Sequence, residues 1–319
     1  MAQSEAPDYP APVPPARAAL ARQAPPAGAA LALLHRLPLH ALSRAAGRAA
    51  AWTLPGPLRA PACRAFARAV GADLSEVRDP LASFPSLQAF FTRALAEGVR
   101  PLDPDPAALL APCDGAWGEA GRIEAGRLVQ AKGERYALAA LLGDAATAER
   151  FEGGDFATFY LAPRDYHRFH TPCAARVQRA VHLPGTLWPV NRIGVEGVPG
   201  VFAANERIVA FFRRPGSGED DFAIAAVGAT LVGKVRLRFD TLVSQTGRRE
   251  PLWRDYTEPP RLARGEEWGH FEFGSTLVLA AAPGALRVDP APPGSPLRLG
   301  TRIGAVALQP LASAREAIS

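Results

Sequence analysis

The sequence predicts an α+β fold: an N-terminal helical region followed by a mostly antiparallel β domain, barrel- or sandwich-like. Three observations carry this. Apolar residues recur at helical spacing before about residue 109. After it, short runs rich in Val, Phe and Ala alternate with Gly/Pro turns. The helical patterns precede the strand patterns instead of alternating with them.

Residues 1–28 are rich in Pro and Ala with no hydrophobic period, which reads as a disordered tail. Residues 29–108 follow as a helical, membrane-associating region, and 109–319 as a β-rich catalytic domain. In the helix expected over 31–52, Leu31, Leu34, Leu42, Ala45, Ala49 and Trp52 recur at helical spacing, and Arg36, His40, Arg44 and Arg48 form a basic stripe. Pro38 suits a first turn and offers a start there. Such a helix either packs on the core or lies in a membrane interface with its basic face toward anionic headgroups. A second helix is expected over 61–70, stopped by Gly71. A third is expected over 87–96, with Ser86 as N-cap and Gly98 closing it. Pro101, Pro104 and Pro106 then forbid regular structure.

Strands are expected over 156–161, 176–182, 208–212, 222–227, 230–239, 276–281 and 304–308, with one short helix over 138–142 ending at Gly143. The polar, Pro-interrupted stretch 244–265 reads as a long surface loop.

A chain of 319 residues can bury a real core. Hydrophobic residues make up 48% and charged residues 21%, ordinary for a globular protein. Of 36 basic residues only Lys132 and Lys234 are lysine, beside abundant Ala, Pro and Gly. That bias does not argue for nucleic acid, whereas a net charge of +5 still favours anionic surfaces, membranes included. Cys63, Cys113 and Cys173 are odd in number and widely spaced, which suits a reducing compartment. No run reaches the ~18 apolar residues of a spanning helix. The apolar piece 29–34 runs into His35 and Arg36 and makes a poor signal-peptide core.

Chemistry enters at Phe273-Gly274-Ser275-Thr276, followed by Leu277-Val278-Leu279-Ala280. By itself Gly-Ser-Thr is a turn feeding a buried strand. The same residues also permit self-cleavage. The Ser275 hydroxyl attacks the Gly274 carbonyl, the peptide becomes an ester, and elimination cuts the chain. Hydrolysis of the resulting dehydroalanine leaves a pyruvoyl group, a ketone that condenses with amines and draws electrons from a breaking C–C bond. A serine needs a base for this.

Upstream, Tyr160-Leu161-Ala162-Pro163-Arg164-Asp165-Tyr166-His167-Arg168-Phe169-His170-Thr171-Pro172 is a dense polar cluster between prolines, of the kind that carries function in loops. Ala111-Pro112-Cys113-Asp114-Gly115 and Phe202-Ala203-Ala204-Asn205-Glu206-Arg207 also stand out. Asp114, His170 and Ser275 can form a nucleophile-activating set, since geometry and not chain order decides it. Zinc is the rival reading of His167-x-x-His170. Those side chains share a face on a helix but point oppositely on a strand. The third ligand would be His182, His270 or Cys173, none at motif spacing.

Together the segments 160–172, 130–133, 202–207, 227–233 and 265–278 resemble the bacterial phosphatidylserine decarboxylase proenzymes, in order from about Leu37 to Leu308. The Pro-Arg-Asp-Tyr-His-Arg-x-His-x-Pro run and the Gly-Ser-Thr are the specific parts. The resemblance implies a carboxy-lyase made as a zymogen. Asp114, His170 and Ser275 would be its self-cleavage triad, with the cut between Gly274 and Ser275. A β chain of 1–274 and an α chain of 275–319 would remain as a heterodimer, with room for further dimerisation. It implies a pyruvoyl cofactor on Ser275, no metal, and His167 as the proton donor of decarboxylation. The implied substrate is phosphatidylserine and the product phosphatidylethanolamine, handled at the cytoplasmic face of the cell membrane by a peripheral protein. Arg164, Arg168, Lys132 and Asn191 are headgroup candidates. Phe273 departs from the Leu or Gly common in relatives, and the tail 1–28 is outside the pattern.

Overall fold

The computed structural model describes residues 38–230, 234–272 and 275–307. The predicted tail 1–28, the first part of the 31–52 helix and Arg36 lie outside the described residues, as do Phe273 and Gly274.

Helix α1 (Leu39–Ala51) follows Pro38 and buries Leu39, Ser43 and Ala50. Its Leu42 and the following Trp52 are exposed, Trp52 by 72%. His40 leaves the expected basic stripe, because its Nε2 hydrogen-bonds with the Gly185 carbonyl at 3.0 Å. Helix α2 (Gly56–Val70) starts earlier than expected, with a proline in its first turn where no N–H is needed, and it continues through Pro61. Gly71 ends it in the left-handed region, φ +78°. Helix α3 (Leu87–Phe91) has the expected cap: Ser86 Oγ accepts from the Ala89 N–H. It stops well short of residue 96. The Thr92 hydroxyl turns back to the Gln88 and Ala89 carbonyls, and Ala96 N–H bonds to the Glu76 carbonyl while Leu95 pairs with Val77. Cys63, Ala67, Phe84 and Phe90 form the apolar cluster between α2 and α3.

The β region runs β1 (Ala108–Leu110), β2 (Gly115–Arg122), β3 (Arg127–Ala131), β4 (Glu134–Ala137), helices α4 (Leu138–Leu142) and α5 (Ala145–Arg150), then β5 (Asp155–Leu161), β6 (Arg168–His170) and β7 (Ala175–Leu183). Helices α6 (Arg192–Gly197) and α7 (Val201–Ala204) lead to β8 (Arg207–Arg213), β9 (Phe222–Val227), β10 (Val235–Leu237), β11 (Leu252–Asp255), β12 (Arg261–Leu262) and β13 (Glu267–Phe271). Last come β14 (Ser275–Ala281), β15 (Leu286–Val288), β16 (Pro296–Leu297) and β17 (Arg302–Val306).

A nine-stranded antiparallel sheet dominates, ordered β11-β7-β8-β9-β14-β5-β2-β16, with β12 also on β7. Its end strands do not pair among the described residues, so it is not the barrel that the sequence offered as one option. Both faces are buried. Ile208, Ala210, Phe212, Ile224, Leu277 and Leu279 point into one apolar cluster, and Val209, Phe211, Ala223, Ala225, Val278 and Ala280 into the other. That is why β8, β9 and β14 read as unbroken apolar runs. Two sequence expectations are corrected here. The stretch 244–265 is not a plain loop, because β11 and β12 within it cover the edge of β7. Of the strand expected over 230–239, the described residues form only β10. Smaller sheets are β10-β13-β6, β1-β17-β15 and the β3-β4 hairpin.

Candidate active site

Strand β14 runs between β9 and β5, and its first residue, Ser275, has its backbone opposite Leu161. Leu161 ends β5 and opens the polar loop. A tight turn follows: Asp165 N–H bonds to the Ala162 carbonyl, and the Asp165 carboxylate accepts from Ala162 N–H at 2.7 Å. The expected polar loop is thus stapled by its own aspartate. Burial pushes the Asp165 carboxyl upward in pKa.

His167 emerges from this turn fully buried. Its Nδ1–H donates to the Asp165 carbonyl at 2.8 Å, and its ring lies 4.0 Å from the Phe91 ring, centroid to centroid. Nε2 has no hydrogen-bond partner among the described residues. The Leu161 carbonyl is near enough to act on the ring electrostatically, but not at hydrogen-bonding geometry. Burial drives the imidazole pKa down to about 3, with the nearby Arg93 charge adding to it. His167 is therefore neutral at physiological pH, with its proton on Nδ1 and a lone pair on Nε2.

His170 has different surroundings. The β10-β13-β6 sheet turns Phe169, Phe271, Val235 and Leu237 into the core. Arg168, His170, Glu267 and His270 line a cavity of about 570 Å³ together with Tyr166 and Arg100. His170 Nδ1–H donates to the Gly265 carbonyl at 2.9 Å, and Nε2 accepts from the Tyr166 hydroxyl at 3.3 Å. Burial lowers its pKa too. The two histidines thus have separate environments. Among the described residues no group of three or more His, Cys, Asp or Glu is placed to hold a metal ion.

Asp114 is buried between β1 and β2 and gripped by Arg100. Nε reaches Oδ1 and Oδ2 at 2.9 and 3.1 Å, and Nη2 reaches Oδ2 at 2.6 Å. Leu299 N–H also donates to Oδ1 at 2.9 Å. The same guanidinium makes two bonds to Glu76. Burial opposes the Arg100 charge, but the bonds to Asp114 and Glu76 outweigh it and leave its pKa raised. Asp114 and His170 side chains are not hydrogen-bonded to each other. Their link is backbone: His170 N–H donates to the Pro112 carbonyl at 2.8 Å.

Several suspected functional residues serve the scaffold. Asn205 bonds with Trp188 N–H, Trp188 carbonyl and Gly228 carbonyl, stapling those segments together. Glu206 pairs with His182 at 2.7 Å. Asn191 caps α6, and Lys132 pairs with Glu196. Arg168 bonds to the Thr92 carbonyl and Glu267, while Arg164 is largely exposed beside Asp165. Sequence reading missed Glu76, Arg93 and Arg100. They sit upstream of the polar motifs, Arg93 inside the expected third helix and Glu76 and Arg100 outside any expected element, and their partners are distant in the chain.

The family model for phosphatidylserine decarboxylase matches residues 87–305, which include Asp114, His167, His170 and Ser275. The chain belongs to the phosphatidylserine decarboxylase family. Curated relatives agree. The chain is 46% identical over 280 residues to the phosphatidylserine decarboxylase proenzyme of Anaeromyxobacter sp. (strain K), covering 87% of this chain and 98% of that protein. It is 43% identical over 279 residues to the proenzyme of the same name from Azotobacter vinelandii, covering 85% and 95%. With the Shewanella loihica proenzyme the identity is 41% over 278 residues, covering 85% and 96%. Within this family the word proenzyme describes relatives made as precursors.

Proposed function

We propose that this chain decarboxylates phosphatidylserine to phosphatidylethanolamine, using a pyruvoyl group formed from Ser275 after self-cleavage between Gly274 and Ser275. The observation that carries the reading is local. Ser275 opens a central strand opposite Leu161, and the backbone of that same Leu161 acts on the ring of the buried His167, whose Nε2 has no hydrogen-bond partner among the described residues. An apolar, water-poor position with one uncommitted imidazole nitrogen fits a reactive ketone held on a chain end. Once formed on Ser275, that group would supply an electron sink for decarboxylation of the serine headgroup.

His167 acts here at Nε2. Because that atom carries a lone pair, it first accepts a proton, and the substrate ammonium must lose one before its nitrogen can attack. The same atom then returns the proton to the carbon that lost CO₂, so one histidine serves as base and acid in turn. Phe91 and the Asp165 carbonyl fix the ring so that Nε2 keeps one direction. For the cut, the proposed triad is Asp114, His170 and Ser275. A neutral His170 with its Nε2 lone pair is in the form a base requires. Asp114 supports it through the Pro112 backbone link.

The two pieces, 1–274 and 275–319, are proposed to stay together as a heterodimer. The protein is proposed to be peripheral, on an anionic membrane at the cytoplasmic face. The exposed Leu42 and Trp52, in and just after the helix that carries Arg44 and Arg48, support this, and no helix among the described residues is long and apolar enough to cross a membrane. Intact mass tests the core of the reading. The purified chain should appear as two fragments split between residues 274 and 275, and Ser275→Ala as one uncut, inactive chain. A parent chain that stays whole yet releases CO₂ from phosphatidylserine would overturn it.

A further inference from the structure

Among the described residues, Arg93 and Arg207 are buried without a carboxylate bonded to them, and they differ in one respect. Arg207 fills every nitrogen: Nε with the Leu141 carbonyl, Nη1 with those of Ala203 and Asn205, and Nη2 with that of Ala140. Its cation is neutralised by backbone dipoles, and its role is to hold α4 and α7 on β8. Arg93 is only 3% exposed, yet uses a single nitrogen. Nη2 donates to the Arg164 and Asp165 carbonyls at 3.1 and 3.4 Å, whereas Nε and Nη1 have no hydrogen-bond partner among the described residues. The nearby acids are committed elsewhere. Asp114 is held by Arg100, and Asp165 by Ala162 N–H and Arg164.

A buried cation with two unfilled donors is costly unless an anion arrives. Its position says which. Arg93 and His167 converge on one atom, the Asp165 carbonyl oxygen, which accepts from both. Arg93 and the imidazole proposed to move the proton are therefore held on one backbone atom. Resting on the functional reading above, we propose that Arg93 is a substrate-binding residue, one of whose unfilled donors, Nε–H or Nη1–H, binds an oxyanion of the serine headgroup. That headgroup offers two sources, its carboxylate and its phosphate, and both present the oxygens a guanidinium recognises.

The test uses the self-cleaved enzyme in mixed micelles of detergent and phosphatidylserine, comparing the parent with Arg93→Gln and Arg93→Lys. CO₂ release gives kcat and KM, and phosphatidylethanolamine is titrated as an inhibitor. Losing one charged hydrogen-bonding partner should raise KM roughly 10- to 100-fold in Arg93→Gln, more than kcat falls, with Arg93→Lys in between. If the grip is on phosphate, the inhibition constant of phosphatidylethanolamine rises by the same factor. If it is on the carboxylate, which that product lacks, the constant stays put. Unchanged KM and inhibition constant in a cleaved Arg93→Gln enzyme overturn the proposal, even if kcat falls, because Arg93 would then only position His167. Both variants remaining uncut also overturns it, by placing Arg93 in self-cleavage. A cleaved parent that releases no CO₂ overturns the functional reading itself, and this inference with it.

Discussion

Asp114→Asn is the most informative single change, because the structure gives Asp114 a structural duty beside the role proposed for it in the cut. Its carboxylate and the Arg100 guanidinium are each only about one-tenth exposed, so their attraction is weakly screened. Abandoning a buried charge outright costs about 3–5 kcal/mol. Here the loss is smaller. Asparagine keeps an oxygen for Leu299 N–H, and Arg100 retains both bonds to Glu76. About 2 kcal/mol is the expected cost, the upper part of the range for one hydrogen bond to a charged group. For a protein of this size that corresponds to a Tm fall of roughly 3 °C. The comparison belongs on a Ser275→Ala background, where every chain is uncut and self-cleavage cannot alter stability. Thermal melting of Ser275→Ala with and without Asp114→Asn reads the structural part alone. Glu76→Gln serves as a control, since it weakens the same Arg100 cluster without touching Asp114. If Asp114→Asn leaves Tm within about 1 °C of its background, the buried network contributes nothing measurable, and the ~2 kcal/mol argument is wrong.

Acid sensitivity should follow the buried imidazoles. His167 is held near pKa 3 against an ordinary value of 6.5, and burial lowers His170 and His270 as well. The unfolded chain takes up protons that the folded chain refuses, so stability is full above about 6.5 and is lost as pH falls toward 3. Uncut His167→Gln should show a shallower decline of Tm over that window, and an identical slope would refute the assignment. After cleavage, His167→Ala should decarboxylate about 10²- to 10⁴-fold more slowly, the usual range for a lost general acid–base, while His170→Ala should fail at the cutting step. Normal cutting of His170→Ala on a denaturing gel would sink the triad. In Gly115→Ala the new Cβ would meet the Tyr160 carbonyl oxygen at 2.1 Å from a φ of +146°. The β2–β5 pairing should weaken, with a Tm loss and less cleavage, and a parent-like melt would contradict that register. Replacing Arg44 and Arg48 with Glu should reduce binding to anionic vesicles while leaving the cut intact. Undiminished binding would place membrane docking elsewhere.

What the sequence revealed depended on whether the governing interactions were local. The strand over 222–227 came out to the residue, and the β14 strand within one, because both faces are apolar and the runs are long. Ser86, Gly71 and Gly143 were readable because a cap or a left-handed stop is decided within one turn of chain. Helix α3 was overextended because its end is set by Thr92 and by the bonding of Leu95 and Ala96 to Val77 and Glu76, not by its own periodicity. β11 and β12 were hidden because edge strands beside β7 carry Arg254, Asp255 and Arg261, which look like loop. The site shows the same division. His167, His170 and Asp165 were legible as one dense segment. The separation of the two histidines, the Arg100 clamp on Asp114 and the half-used Arg93 all arise from contacts across the fold, and no window of sequence contains them.

The place of β14 in the sheet has a further consequence. Its two neighbours, β5 and β9, both precede the Gly274–Ser275 bond and must already be in register for Leu161 to lie opposite Ser275. Chemistry at that bond therefore reports on assembly. With the proposed cut at that bond, a chain whose central sheet fails to form should stay whole. The appearance of the small fragment on a gel becomes a maturation clock for the fold, readable in crude cell extract without purification or substrate. Mutations far from any catalytic group can then be ranked for folding simply by how fast the second band appears.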